Sequence, residues 1–268
     1  MRAIDELTEV DDPAWPELAA VLAASPVPAR VLPADRDEGR RCLLQLQVTA
    51  RSVLGALVLH TGGLLLDHGW VRVFGGGAPA AGGGPADGGA AEDGGAADGG
   101  AENGGAADGG LPSLGRVNRF PTAFDPAWHP ATALVVGHDA VGGVFALNGH
   151  DPAAGGRPGI PGQMTYFAPD TLEWEALDMG HSAWVSWLLS GGTEAFYDGL
   201  RWPGWRAEAE ELALSQGITV FPFLWSEEAH ADLSGTARRA VPMREVLGVA
   251  ADFARQLGAA DPGFLGVV

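Results

Sequence analysis

Hydrophobic residues fall in short runs in the second half of the chain, and these runs predict strands. Val144 to Leu147 is apolar and is bounded by Gly142-Gly143 and Asn148-Gly149, as expected of a buried strand between two turns. Met164 to Ala168 is a second run, and Pro169-Asp170 after it has the composition of a turn. The pattern therefore predicts two neighbouring strands of one sheet.

The stretch from Leu172 to Leu177 alternates between apolar and acidic residues. Its even-numbered positions are apolar, and Glu173 and Glu175 stand between them. A period of two is typical of a half-buried antiparallel strand, so we expect Trp174 in the core and both glutamates in solvent. Ser182 can cap the amphipathic helix that follows.

Helical spacing and turn residues complete the secondary structure. The main predicted helices run from Asp37 to about Val48, Ser52 to Leu59, Thr193 to Leu200, Trp205 to Leu212 and Val241 to Leu257, with Ser52 and Thr193 as caps of their helices. Asp67-His68-Gly69 predicts a hairpin, Gly137-His138-Asp139 a turn between two strands, and Ile218 to Trp225 a last strand. Consecutive strands flanked by helical blocks indicate an α+β domain with a mostly antiparallel sheet.

Residues 75–110 differ in composition from the rest of the chain. Of these 36 residues, 16 are Gly, 11 are Ala and six are acidic, and none is aromatic or branched and apolar. Such a segment cannot bury enough apolar surface to offset the entropy lost on ordering. We therefore expect a disordered low-complexity insert in a single domain of residues 1–74 and 111–258, followed by a tail of residues 259–268.

The chain is strongly acidic, with a formal charge of −18, of which −12 lies outside the insert. A surface of this charge repels phosphate backbones and anionic membranes, which argues against a nucleic-acid or membrane partner. It suits a basic protein partner, or simply solubility.

Cysteine usage and hydropathy narrow the class of protein further. Cys42 is the only cysteine, so the chain has neither an internal disulfide nor a cysteine-based metal site. The acidic N-terminus lacks the apolar core of a secretory signal. The longest apolar stretch, Leu54 to Leu66, is too short to span a bilayer. We therefore expect a soluble, cytoplasmic protein.

The sequence contains no recognisable catalytic signature. HExxH, Gly-x-Ser-x-Gly, a P-loop and a GxGxxG that opens a helix are all missing. His138-Asp139 and Asp67-His68 could ligate a metal ion, but each pair is placed between two strands, where Asp is an ordinary turn residue. His60 and His181 are expected at helix ends. We expect no catalytic, cofactor-binding or metal-binding residue.

Aromatic residues are concentrated between Trp174 and Trp205, which span 32 residues with five Trp. Most large aromatic side chains are buried, yet Trp and Tyr are also enriched at binding hot spots. A Pro-Gly turn such as Pro203-Gly204 is typical of a surface. Trp202 and Trp205, which flank this turn, and Tyr197 are therefore the predicted binding surface.

Five segments, DDPAWP, TGGLLLDHGWVRVFG, GGVFALNG, YFAPDTLEWEAL and FYDGLRWPGW, resemble an uncharacterised bacterial family of unknown function. The resemblance covers nearly the whole chain apart from the insert, and FAPDTLEWE and LRWPGW are its most specific parts. The order of elements, a meander followed by a helix with aromatic residues at its start, is also similar to that of the SUKH superfamily. That similarity implies an immunity-type protein that binds and neutralises a toxin.

Two functional hypotheses follow. The first is a non-enzymatic protein-binding domain without a cofactor, whose acidic surface binds a basic toxin or another basic protein. The alternative is a small-ligand-binding protein or hydrolase with a pocket lined by histidines and by Trp202 and Trp205. Histidines that converge on one metal ion would favour the alternative, and a smooth acidic face without a polar cleft would favour the first.

Overall fold

The computed structural model describes residues 1–79, 110–130, 132–258 and 260–268. Its strands are β1 Ala29–Leu32, β2 Gly63–Leu66, β3 Val71–Phe74, β4 Ala133–Asp139, β5 Val144–Asn148, β6 Gln163–Ala168, β7 Glu173–Gly180, β8 Gln216–Phe221 and β9 Ala237–Pro242. Its α-helices are α1 Ile4–Thr8, α2 Trp15–Ala24, α3 Arg36–Leu46, α4 Val53–His60, α5 Leu114–Val117, α6 His181–Leu189, α7 Thr193–Phe196, α8 Trp205–Glu210, α9 Glu227–Ala231 and α10 Met243–Gln256. Within these ranges, no helix is long and apolar enough to cross a membrane.

The first seven strands form one sheet in the order of the chain, from β1 to β7. Every neighbouring pair in this sheet is antiparallel. β8 and β9 form a separate antiparallel pair. The predicted α+β architecture with a mostly antiparallel sheet is confirmed.

One face of the large sheet is covered by helices. Phe145 of β5 and Tyr166 of β6 lie directly opposite each other, and their rings pack on Trp184 of α6 and Phe196 of α7. α4 lies beside α6, and its five central residues are all buried. A helix that is apolar on all sides requires such an interior position.

The opposite face is covered by the end of the chain. Alternation along the strands turns Phe167 and Trp174 away from the helical face. There the Trp174 indole donates a hydrogen bond to the carbonyl of Pro262 at 3.0 Å, and the Arg157 guanidinium lies 3.5 Å from the centre of its ring. Residues 260–268, expected to be a tail, thus pack on the sheet, and Leu265 is buried.

The turn between β4 and β5 lies further along the chain than the sequence suggested. His138 and Asp139 belong to β4, and the chain reverses at residues 140–143, where Gly142 has a φ of +95°. The Asp139 carboxylate accepts a hydrogen bond from the backbone N–H of Gly143 at 2.8 Å. An Asp side chain can accept hydrogen bonds from the backbone of a turn either from within the turn or from the strand residue before it. Asp139 does so from the strand residue before the turn.

Two helix starts also differ from the expectation. α6 begins at His181 without a side-chain cap, so Ser182 lies inside its first turn. Thr193 does not cap α7, because its buried hydroxyl donates to Oδ2 of Asp67 at 3.0 Å. Ser52 caps α4 as predicted.

The strand β9 was not predicted from the sequence. It pairs with β8 and ends at Pro242, so α10 begins at Met243 rather than at Val241. The segment Ala-Arg-Arg-Ala-Val-Pro lacks the alternation of apolar and polar residues by which strands are recognised.

The ordered domain extends past residue 74, where the insert was expected to begin. Gly75 to Gly77 are buried and form backbone hydrogen bonds with Leu114, Thr61 and Asp35. The remaining part of the predicted insert, residues 80–109, lies outside the described residues. Its two flanks meet, because Gly110 lies directly beside Ala78.

Deletion of residues 80–109 with direct fusion of Pro79 to Gly110 should leave the melting temperature within about 3 °C of the wild type, because these residues include no apolar side chain larger than alanine or proline. Deletion of residues 76–110 removes the buried glycines and should lower the melting temperature clearly more. Calorimetry distinguishes the two deletions. Loss of cooperative unfolding in the shorter one would contradict this view of the segment.

Trp174→Ala should lower the free energy of unfolding by about 2–4 kcal/mol, somewhat less than for a fully buried aromatic residue, because the side chain is half-buried between Phe167 and Arg157. Glu173→Gln, on the exposed side of β7, should change it by less than about 0.5 kcal/mol. Urea denaturation measures both. A silent Trp174 variant combined with a severe Glu173 variant would mean that β7 faces the other way.

Candidate functional site

The most unusual polar group in the fold is the carboxylate of Asp139. It is fully buried, and its Oδ1 accepts the backbone N–H groups of Val141 and Gly143 at 3.0 and 2.8 Å. Its Oδ2 accepts the hydroxyls of Tyr166 at 2.6 Å and Tyr197 at 3.1 Å. Burial raises the pKa of Asp139, while these hydrogen bonds act in the opposite direction. A buried carboxylate with four donors fixes the positions of the three chain segments that supply them.

A second buried carboxylate fastens the β2–β3 hairpin to the helical layer. Asp67 lies in the hairpin with a φ of +53°, and its Oδ2 accepts Nη2 of Arg201 at 2.5 Å and the hydroxyl of Thr193 at 3.0 Å. The Arg201 guanidinium also lies 3.9 Å from the ring centre of Trp205 and 4.7 Å from that of Tyr197. The ion pair is therefore sandwiched against aromatic rings inside the molecule.

The three residues of the predicted binding surface are brought together, but in the interior. Tyr197, Trp202 and Trp205 surround the indole of Trp70 edge-on, with ring centres 5.2–5.7 Å from it. Their exposed fractions are 0%, 2% and 7%. Pro203-Gly204 is exposed, yet the expectation that this turn would expose an indole is wrong, because Trp70 buries both. A binding role for these residues stays a prediction.

The histidines of the alternative hypothesis lie in separate surroundings. His60 stacks on Trp15, His68 pairs with Glu210, His138 packs on Phe74 and His181 packs on Trp184. Burial lowers the pKa of His138 to about 3 and that of His181 to about 4, which keeps both rings neutral near pH 7. In the part of the chain that the structure describes, no three His, Cys, Asp or Glu side chains are grouped so that they could hold a metal ion.

A different aromatic group reaches the surface at the end of β8. Phe221 is 65% exposed, and its ring contacts that of Phe223, with centres 5.8 Å apart. Phe223 in turn stacks on Trp225, with ring centres 4.6 Å apart and planes inclined by 9°. Both rings pack on Phe253 of α10 at about 5 Å. These four side chains form an aromatic ladder with one end in solvent.

α10 extends this surface because it carries two apolar stripes. The buried stripe consists of Met243, Leu247, Ala250 and Ala254. The outer stripe follows at helical spacing and consists of Val246, Val249, Phe253 and Leu257. Val249 is 38% and Leu257 63% exposed. We call the aromatic ladder together with Val249 and Leu257 the aromatic patch.

An acidic residue directly follows Pro169, which lies beside the aromatic patch. Asp170 follows Pro169, which shares a crevice with Trp225 and Val249. Burial raises the pKa of Glu175, and the charges of Asp170 and the nearby Glu173 raise it further. The carboxylates of this corner are therefore close enough to repel one another.

A second acidic pair follows the patch directly in the chain. Glu227 and Glu228 form the first turn of α9, two and three residues after Trp225, and both are exposed or nearly so. Nearby basic groups are partly neutralised, since Arg238 pairs with Glu208 and Arg255 with Asp252. Arg239 of β9 and Arg244 of α10 are exposed as well and form no salt bridge among the described residues, so the acidic character belongs to the chain as a whole, whose formal charge is −18.

Comparison with known proteins yields a family and two relatives. The model of a family described as a protein of unknown function, DUF2625, matches residues 4–95 and 88–246. The chain is 34% identical over 233 residues to the uncharacterized protein YbfG of Escherichia coli K12, which covers 85% of this chain and 89% of that protein. It is 26% identical over 223 residues to an uncharacterized protein of Haemophilus influenzae, with 83% and 81% covered. No solved structure matches this chain.

Asp139→Ala should lower the free energy of unfolding by about 3–5 kcal/mol, because four buried donors lose their acceptor. The matched control is Asp151→Ala, which removes an exposed carboxylate that also accepts a backbone N–H and should cost less than about 1 kcal/mol. Chemical denaturation followed by circular dichroism measures both changes. Equal effects of the two substitutions would show that the network around Asp139 does not hold the fold together.

Proposed function

The chain belongs to the DUF2625 family, and we propose that it is a non-enzymatic protein-binding domain that contacts a basic protein through the aromatic patch. The observation that carries the proposal is the exposure of Phe221 at the solvent end of the aromatic ladder. Together with Val249 and Leu257, it gives an exposed apolar surface of the kind that marks interaction sites.

The construction of the patch suits binding. Phe223 and Trp225 are held between Phe221 and Phe253, so their rings are fixed before a partner arrives. Side chains that are already ordered lose little conformational entropy on association. Large aromatic residues also supply much of the binding free energy at protein interfaces.

The net charge of the chain favours a basic partner over a second copy, since each copy carries a formal charge of −18. Glu227 and Glu228 follow Trp225 in the chain, and Asp170 follows Pro169, which lines the same crevice as Trp225. Two copies that met through this surface would bring these like charges together, at a cost in affinity. A basic protein would be attracted to the same groups and would reach the aromatic rings faster.

On the basis of the similarity to the SUKH superfamily, we further propose that the purpose of this binding is to neutralise a toxin. A cytoplasmic immunity protein that neutralises a basic toxin would need an acidic surface with an apolar anchor. The arrangement of the patch and its carboxylates is compatible with that requirement.

Phe221→Ser should abolish capture of the partner from a lysate of the source bacterium, while Ile160→Ser should not. Both residues are exposed to nearly the same extent, 65% and 63%, but Ile160 lies outside the patch. Neither substitution should change stability by more than about 0.5 kcal/mol, so lost capture would report on the surface. The captured protein should be basic and should be released by high salt, because the contact is partly electrostatic.

Size-exclusion chromatography with light scattering tests the same pair of variants for self-association. A wild-type dimer that Phe221→Ser converts to a monomer would overturn the proposal, since the patch would then join two copies. Equal capture by both variants would also overturn it.

A further inference from the structure

A cavity of about 240 Å³ opens beside the β2–β3 hairpin, and neither the aromatic patch nor the buried carboxylates account for it. Its apolar wall includes Leu65 of β2 and Leu212 and Leu214, which follow α8. At about 30 Å³ for each water molecule in the liquid, this volume corresponds to roughly eight waters. It fits a small molecule of fewer than about ten heavy atoms.

The deepest charged residue of the cavity wall is Arg72, whose side chain is almost completely buried, with 1% of the residue exposed. Its Nη1 donates to the carbonyl groups of Leu214 at 2.8 Å and Gln216 at 2.6 Å, and its Nε donates to that of Gly69 at 3.4 Å. All three acceptors are neutral, and among the described residues no carboxylate forms a salt bridge with this guanidinium. The two N–H groups of its Nη2 therefore have no acceptor among the described residues.

Besides Arg72, the wall contains one further arginine and one carboxylate. Arg30 of β1 lies at the exposed side of the cavity. Among the described residues, Glu210 is the single acidic residue of the wall, and its Oε1 is already engaged by Nδ1 of His68 at 2.5 Å. Two arginines thus face one paired carboxylate. In a chain with a formal charge of −18, this is a local excess of positive charge next to apolar side chains.

We propose that this cavity binds a small organic carboxylate with a short apolar body. The carboxylate would lie between Arg72 and Arg30, since guanidinium groups bind carboxylates through paired N–H donors. The apolar body would lie against Leu65, Leu212 and Leu214. Inorganic phosphate fits less well, because it would leave this wall without an apolar partner. The site does not depend on the aromatic patch or on a protein partner.

The probe is hexanoate, titrated into the full-length protein in a calorimeter at pH 7 and low salt. We expect a dissociation constant of about 1 mM or lower. Arg30→Gln should weaken binding about three- to fivefold, the range expected for one partly exposed charge. Glu210→Gln should strengthen it by a similar factor, because it removes the only acidic group of the wall. Changes of opposite sign cannot result from partial unfolding of both variants.

Matched controls remove one positive and one negative charge from residues outside the cavity. Arg36→Gln and Glu211→Gln change exposed side chains that do not line it, and both should leave the affinity for hexanoate unchanged. Phe221→Ser should also leave it unchanged, which separates this site from the aromatic patch. Inorganic phosphate and hexan-1-ol should each bind at least about tenfold more weakly than hexanoate, since each lacks one of the two features that the cavity recognises.

Several outcomes would overturn the proposal. Absence of hexanoate binding at about 10 mM would show that the cavity does not take this class of ligand. Phosphate that binds as well as hexanoate would remove the role of the apolar wall, and hexan-1-ol that binds as well would remove the role of the arginines. Equal effects of Glu210→Gln and Glu211→Gln would place the binding site elsewhere.

Discussion

The buried carboxylate of Asp139 is the constraint on which the arrangement of the helical layer depends. An ionisable group in the interior is tolerated when its hydrogen-bonding capacity is satisfied, and here the donors come from the β4–β5 turn, from Tyr166 of β6 and from Tyr197 after α7. A displacement of any of these segments would leave a buried donor or acceptor without a partner. Asp67 and Arg201 impose the same condition on the β2–β3 hairpin. These buried polar contacts therefore fix how the helices are placed against the large sheet.

The sequence predicts the sheet well because its strands are consecutive and locally patterned. Trp174 alternates with exposed glutamates, as in the structure, and Ser52 caps α4. The sequence could not show where His138-Asp139 lies, since Asp is equally suited to a turn and to the strand position before one. Nor could it show β9, whose residues pair with β8 and are partly covered by α10 rather than by an apolar face of their own.

The candidate site illustrates a further limit of local patterns. Trp-Pro-Gly-Trp at residues 202–205 and Phe-Pro-Phe-Leu-Trp at residues 221–225 look alike in the sequence, as aromatic residues around a proline. What separates them is Trp70, on a hairpin more than a hundred residues earlier, whose ring buries the first group. Phe221 is the last residue of β8, and Leu224 and Trp225 lie in a turn, so the alternation of an extended strand could not have identified this group.

The net charge of the chain would act differently on the two proposed ligands. A basic protein is large enough to respond to the summed field of many carboxylates, so −18 charges accelerate its approach to the aromatic patch. A small anion is repelled by the same field, but only over about 8–10 Å at physiological ionic strength. Inside the cavity, binding of the anion depends on Arg72 and Arg30, which line the wall and therefore act on it at short range. An acidic protein can therefore hold an anion wherever a few buried donors outweigh a screened long-range repulsion.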